Sequence, residues 1–305
     1  MRSQKTALVE VIDSFLLAQH SLSPKTIAVY GASLRNFARF VPGARLADLT
    51  LATVNAYIAT KTRAGTPYAA RNDAAVLKAF ASWLDQASIL SGPAGSVLRS
   101  VRTPRVPHDG RRPFSDDELR TIIRVTQQSP HAARDKALVL VIAGSGLRLN
   151  EAREFTCDDI DWSRRVLTIR SETSKSARTR ETRLDPQAAA ALDSYIRDWR
   201  QPVRGGPVFL GASGKPMTLN GFAHIFTRLA RKLEEVGVEK FMAHRLRHTW
   251  ATNYRRVGAG DIFDLQDEGG WKDLEMVRRY SHSRPMSERL RRPSPLNVLS
   301  GGRSA

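Results

Sequence analysis

The stretch RSVRTPRVPHDGRRPFSDDEL, residues 99–119, divides the chain. Pro104, Pro107, Gly110 and Pro113 fall among Arg99, Arg102, Arg105, Arg111 and Arg112. Such a composition suppresses regular structure, because proline removes a backbone donor and fixes φ. The run then stops: Phe114 precedes Ser115, Glu118 sits at the third helical position and Leu119 follows it. This is a capping box with a hydrophobic residue ahead of it, so a helix starts at once. The reading is residues 1–103 as one domain, 104–113 as a linker, 114–284 as a second domain and 285–305 as a tail. A length of 305 residues agrees, since it exceeds what one typical core holds.

Upstream, the pattern is helical throughout. Ser23 reads as an N-cap with Pro24 at the first helical position, and Ile27, Tyr30, Leu34 and Phe37 share one apolar face. Val76, Leu77, Phe80 and Leu84 form another, and Leu46, Leu49, Val54, Tyr57 and Ile58 a third, entered from a turn at Pro42 and Gly43. Downstream, Ala137–Ala143 is apolar without interruption, as a buried helix is, and ends at Gly144, Ser145 and Gly146 before a helix beginning near Asn150. Val166–Ile169 favours a strand, 174–177 a turn and 178–184 a polar returning strand, with a further short strand at 207–210. Helical periodicity then resumes in Phe222, Ile225, Phe226 and Leu229 and in Leu246, Trp250, Tyr254 and Val257. The fold class is mainly α with a small antiparallel sheet.

The formal net charge is +18, divided as +9 before and +9 after residue 113. A polyanion releases counterions when Lys and Arg neutralise its phosphates, so nucleic acid is the expected partner of both parts. The longest apolar run is far short of the roughly 20 residues that span a bilayer, so no membrane partner is expected. Cys157 is the single cysteine, which agrees with a reducing, cytoplasmic compartment and leaves no Cys-rich zinc site. Neither a metal nor another cofactor is expected.

His244 and Arg247 lie three apart on a predicted helix and off its Leu246–Trp250–Tyr254 stripe, so both could converge on one phosphate. A guanidinium matches phosphate oxygens with planar donors, and an imidazole can hold or move a proton near neutral pH. Taken alone, in a chain so rich in arginine, these two residues read first as a chance pair on a solvated face.

The wider pattern resembles the tyrosine recombinase (phage integrase) family. Its His-x-Leu-Arg-His-Thr motif stands here as His244-Arg245-Leu246-Arg247-His248-Thr249, and its Gly-Leu-Arg-x-x-Glu segment as Gly146-Leu147-Arg148-Leu149-Asn150-Glu151. The family's hairpin lysine is matched more loosely by Lys175, with Arg178 and Arg180 as competing cations. Gly270-Trp271 is followed nine residues later by Tyr280, the spacing of the family's nucleophile, and then by Ser281 and His282. One departure stands out: Glu268 and Gly269 occupy two positions that are usually apolar.

The resemblance, running from about Thr26 to His282, implies a simple Xer-like recombinase without an arm-binding domain. A helical, SAM-like core-binding domain would precede an α+β catalytic domain. It implies Tyr280 as nucleophile, Arg148 and Arg247 on the nonbridging oxygens, Lys175 protonating the 5′ oxygen, His244 and Trp271 assisting, and Glu151 supporting. DNA contacts are expected from Arg102, Arg105, Arg111, Arg112, Arg178, Arg180 and Arg245, whose charge suits phosphate. The implied assembly is a homotetramer on two duplexes, with a short helix at 286–291 docking between neighbours. A type IB topoisomerase and a DNA-binding protein that has lost catalysis are the competing readings.

Overall fold

The computed structural model describes residues 6–41, 43, 45–65, 67–90, 101–104, 112–172, 178–200, 206–278 and 280. The chain forms two compact units, residues 1–110 and 111–305.

The first unit packs α1 (Leu8–Ala18), α2 (Pro24–Phe40), α3 (Leu51–Arg63) and α4 (Pro67–Gln86), with a single 3₁₀ turn at Leu46–Asp48. Ser23 caps α2 as its sequence requires, its side chain accepting the Thr26 N–H at 3.2 Å, with Pro24 at the first position. Phe15, Leu34, Phe37, Phe80 and Leu84 are buried in its core, where Phe15 meets Phe80 and Trp83 edge-on at 5.3 and 5.5 Å. The buried Asp73 carboxylate accepts from the Tyr57 hydroxyl at 2.7 Å, from Lys61 Nζ at 2.5 Å and from Ser33. Burial, and then Asp73, push the Tyr57 hydroxyl above the ordinary tyrosine range. Val101 belongs to this core, so the chain stays with the first unit at least that far.

In the second unit α5 (Asp116–Thr126) opens with the expected reciprocal cap. Glu118 N–H donates to Ser115 Oγ at 3.1 Å, and Ser115 N–H to Glu118 Oε2 at 2.7 Å. Helix α6 (Ala132–Ser145) is the buried axis, with Ala137, Leu138, Val141 and Ile142 inaccessible. It ends where Gly146 adopts φ +66°, a left-handed conformation suited to glycine. Helix α7 (Leu149–Glu154) follows, then β1 (Ile160–Asp161), β2 (Val166–Ile169) and β3 (Arg180–Arg183), antiparallel in the order β1-β2-β3 with Leu167 facing Thr182.

The two strands of the expected hairpin pair as expected, although the returning strand covers only four residues, the expected turn at 174–177 lies outside the described residues and β1 adds an edge that the sequence did not announce. The expected strand at 207–210 is only isolated bridging. Val208 N–H reaches Phe155 O at 3.0 Å, while Val208 and Phe209 are both buried instead of alternating. Helix α8 (Pro186–Tyr195) continues into a π-turn at Ile196–Arg200, and α9 (Leu219–Glu234), α10 (Ala243–Arg256), α11 (Ile262–Gly269) and α12 (Leu274–Arg278) complete the unit. No helix among the described residues is long and apolar enough to cross a membrane. The expected helix at 286–291 lies outside the described residues.

Candidate active site

Helix α10 buries Leu246, Trp250 and Tyr254 and, by its 3.6-residue repeat, sets His244, Arg247 and His248 along another side. Arg247 is only 3 % exposed. Its Nη1 donates to Gly146 O and its Nη2 to Gly269 O, while its guanidinium carbon lies 4.4 Å from the Trp271 ring centroid. Arg148 is the N-cap residue of α7. There its backbone N–H donates to Glu151 Oε2 at 2.8 Å, its Nη1 to Glu151 Oε1 at 2.7 Å and its Nη2 to Gly270 O at 3.1 Å. Arg148, His244 and Arg247 line one cavity of about 600 Å³.

Three successive carbonyls at the end of α11 therefore receive three arginines: Glu268 O from Arg180 Nε at 2.9 Å, Gly269 O from Arg247 and Gly270 O from Arg148. The last carbonyls of a helix lack intrahelical partners and carry its partial negative charge, which explains why cations gather there. Gly270, at φ +63°, turns the chain away so that this end stays open.

Burial, and after it the charge of Arg148, pull Arg247 down to about 9, so a bound anion would favour its protonated form. Burial alone would raise Glu151. The hydrogen bond and charge of Arg180, then the backbone N–H and charge of Arg148, outweigh burial and hold this carboxylate below its ordinary value.

Two of the arginines expected on DNA make contacts within the protein. The Arg180 side chain is 7 % exposed and donates to Glu151 through both terminal nitrogens, at 3.1 and 2.7 Å. Arg245 is also turned inward, its guanidinium 3.8 Å from the Phe114 ring centroid and donating to Arg112 O at 3.0 Å and to Glu239 O at 2.5 Å. Arg102 and Arg178 are exposed, and the exposed Arg112 grips Glu118 with two bonds of 2.7 Å. Lys175, Arg105 and Arg111 lie outside the described residues.

Tyr280, 6 % exposed, packs its ring 5.1 Å from His248 and 5.5 Å from Trp271, and Trp271 in turn stacks on Trp250 at 6.1 Å. The departure at 268–269 has a steric explanation. A Cβ at position 269 would collide with the Trp271 ring, so glycine there makes room for the larger aromatic. Glu268 is likewise accommodated, its carboxylate accepting from Tyr254 Oη at 2.8 Å and Arg183 Nε at 3.0 Å. Sequence reasoning missed these last two partners. Their only signal was Glu268 standing where an apolar residue is usual.

Residues 112–286 match the phage integrase family. The chain belongs to that family. It is a tyrosine site-specific recombinase, an enzyme that cleaves and rejoins DNA. Among its relatives, the tyrosine recombinase XerC of Roseiflexus castenholzii is 27 % identical over 90 % of this chain and 88 % of its own length, and XerC of Mycobacterium sp. strain JLS is 27 % identical over 90 % and 94 %. The fold is similar to that of the Tn1549 transposon integrase in complex with a circular intermediate DNA, with a TM-score of 0.76, 17 % identity and coverage of 94 % of this chain and 98 % of the other. A lambda integrase dimer bound to a COC′ core site gives 0.73 at 18 % identity over 89 % and 97 %.

Proposed function

We propose that Tyr280 is the nucleophile of this recombinase and that Arg148, Arg247 and His244 receive the scissile phosphate. The carrying observation is that these three line one cavity, where the cations Arg148 and Arg247 lie beside the imidazole of His244. A guanidinium has five donors; Arg148 and Arg247 each direct two to the protein among the described residues, which leaves donors for nonbridging oxygens.

Tyr280 Oη attacks the phosphorus and a P–O bond forms as the P–O5′ bond breaks. The tyrosyl proton leaves with help from His244, and the 5′ oxygen takes a proton from Lys175. A 3′-phosphotyrosyl link conserves the bond until the 5′ hydroxyl of another strand reverses the step, so ATP is not consumed. Trp271 packs against Arg247 and supports the site. Losing one such donor to developing charge typically costs about 2.7–4 kcal/mol, so Arg148→Ala and Arg247→Ala should each slow cleavage by roughly 10²–10³-fold. Both units carry basic charge, so both would hold the duplex, and exchange between two duplexes calls for four protomers. The single Cys157 is in keeping with action in the cytoplasm.

The test is a nicked suicide DNA carrying the recombination site. Wild-type protein is expected to form a denaturation-resistant adduct mapping to Tyr280, and Tyr280→Phe to bind the DNA and form none. An adduct mapped to any other residue would overturn the assignment.

A further inference from the structure

We propose that Glu268 is a positioning residue for cleavage: through its side chain it fixes the end of α11 to β3, and through the carbonyls beside it that end sets the places of Arg148, Arg180 and Arg247. The inference rests on the assignment of Arg148 and Arg247 to the phosphate.

The contacts of Glu268 divide into an outer and an inner set. Outward, its carboxylate accepts from Tyr254 Oη at 2.8 Å, from Arg183 Nε at 3.0 Å and from the Arg183 backbone N–H at 3.3 Å, and it forms an ion pair with Arg183 Nη2 at 2.9 Å. Arg183 is itself held, its guanidinium 4.9 Å from the Tyr254 ring centroid and its Nη2 donating to Tyr254 Oη at 2.5 Å and Ala259 O at 2.9 Å. The carboxylate's partners come from β3 and from α10, so it joins α11 to two further elements. The Glu268 side chain is 18 % exposed and that of Arg183 53 %, so the position is held by the set of hydrogen bonds and not by the charge pair alone.

Inward, Glu268 O and the next two carbonyls are the acceptors for Arg180, Arg247 and Arg148. These carbonyls belong to the last residues of one short helix and its cap, so they move with the Glu268 backbone. Releasing the side chain frees that helix end, and the guanidiniums lose the surface they rest on. Phosphoryl transfer is sensitive to such shifts, because a displacement of about 1 Å in a reacting constellation can cost about 10²-fold.

The experiment uses the full chain and saturating nicked suicide DNA. It compares wild type with Glu268→Gln, Tyr254→Phe, Arg183→Gln and the double variant Glu268→Gln/Arg183→Gln. For each protein the dissociation constant, the single-turnover rate of adduct formation and the unfolding midpoint are measured. Glu268→Gln keeps size and one acceptor but removes the charge. It is expected to bind DNA within about two-fold of wild type, to be folded at the assay temperature and to form adduct at least about ten-fold more slowly, near 1.4 kcal/mol on the barrier. Arg183→Gln should show the same split, and the double variant should be no slower than the worse single one, since both cut the same link.

Wild-type adduct formation with an unchanged rate in Glu268→Gln and Tyr254→Phe would overturn the proposal, as would a loss that only tracks the unfolded fraction. Tyr254→Phe removes a single hydroxyl, so it decides the matter if the charge variants do not fold. Absence of a Tyr280 adduct in the wild type would instead strike the site assignment beneath the proposal.

Discussion

The guanidinium carbon of Arg247 lies 4.4 Å from the centroid of the Trp271 ring. A cation over an indole face gains about 0.5–2 kcal/mol, and the ring shields the guanidinium from water on one side. Among the described residues Arg247 is otherwise held at its edge, by the carbonyls of Gly146 and Gly269. Trp271→Ala should therefore let the guanidinium tilt, lowering the single-turnover cleavage rate about ten-fold or more. Trp271→Phe keeps a ring face and should lose less. Equal rates for wild type and Trp271→Ala would show that the indole only fills space.

Gly269 and Trp271 are sterically coupled, because a side chain at 269 would occupy the space of the indole. Gly269→Leu restores an apolar residue to that position but must displace Trp271. Overpacking of this kind typically costs about 1–3 kcal/mol, so the denaturant midpoint should fall and the near-ultraviolet dichroism of the tryptophans should change. Unaltered dichroism with full cleavage would mean that the ring has another place to go.

Glu151 gives a pH dependence with a definite sign. Its folded pKa lies below the unfolded value because Arg180 and Arg148 outweigh burial. The stability it contributes is thus complete above the unfolded carboxylate pKa, about 4.3, and is lost as pH falls through the lower folded value. Glu151→Gln should consequently be less stable than wild type at neutral pH, with the gap closing as pH drops well below about 4. Urea titrations at pH 7 and at successively more acid pH measure the gap, and a constant gap would contradict the linkage.

The legible features were those written in local spacing. Ser115 with Glu118 and Ser23 with Pro24 announced helix starts, and Gly146 a helix end, because each depends on neighbours within one turn. Arg148, Arg247 and Trp271 were legible as members of short motifs. What escaped depends on partners distant in sequence. Arg180 looks like a solvated hairpin arginine until Glu151, 29 residues away, and Glu268, 88 residues away, are folded onto it. Arg245 looks like a free cation beside the motif until Phe114 lies beneath it. The two-residue strand at Ile160–Asp161 exists only because β2 pairs with it, so no periodicity could have marked it.

The charge is divided between the units, and this carries the final prediction. The chain holds +18, of which +9 precedes residue 114. Each neutralised phosphate lowers log K by about 0.9 per tenfold rise in salt on duplex DNA. If both units contribute phosphate contacts in proportion to their charge, a fragment ending at residue 113, which retains its own core around Phe15, Phe37 and Phe80, should bind duplex DNA weakly with about half the salt slope of the whole chain. The exposed Arg102 near its end is a candidate contact, and Arg102→Ala should reduce the slope by about one phosphate without altering site preference. Fluorescence anisotropy from 50 to 300 mM salt supplies both slopes. A fragment with no measurable affinity, beside a full-length slope unaffected by its removal, would show that the second unit alone holds the duplex.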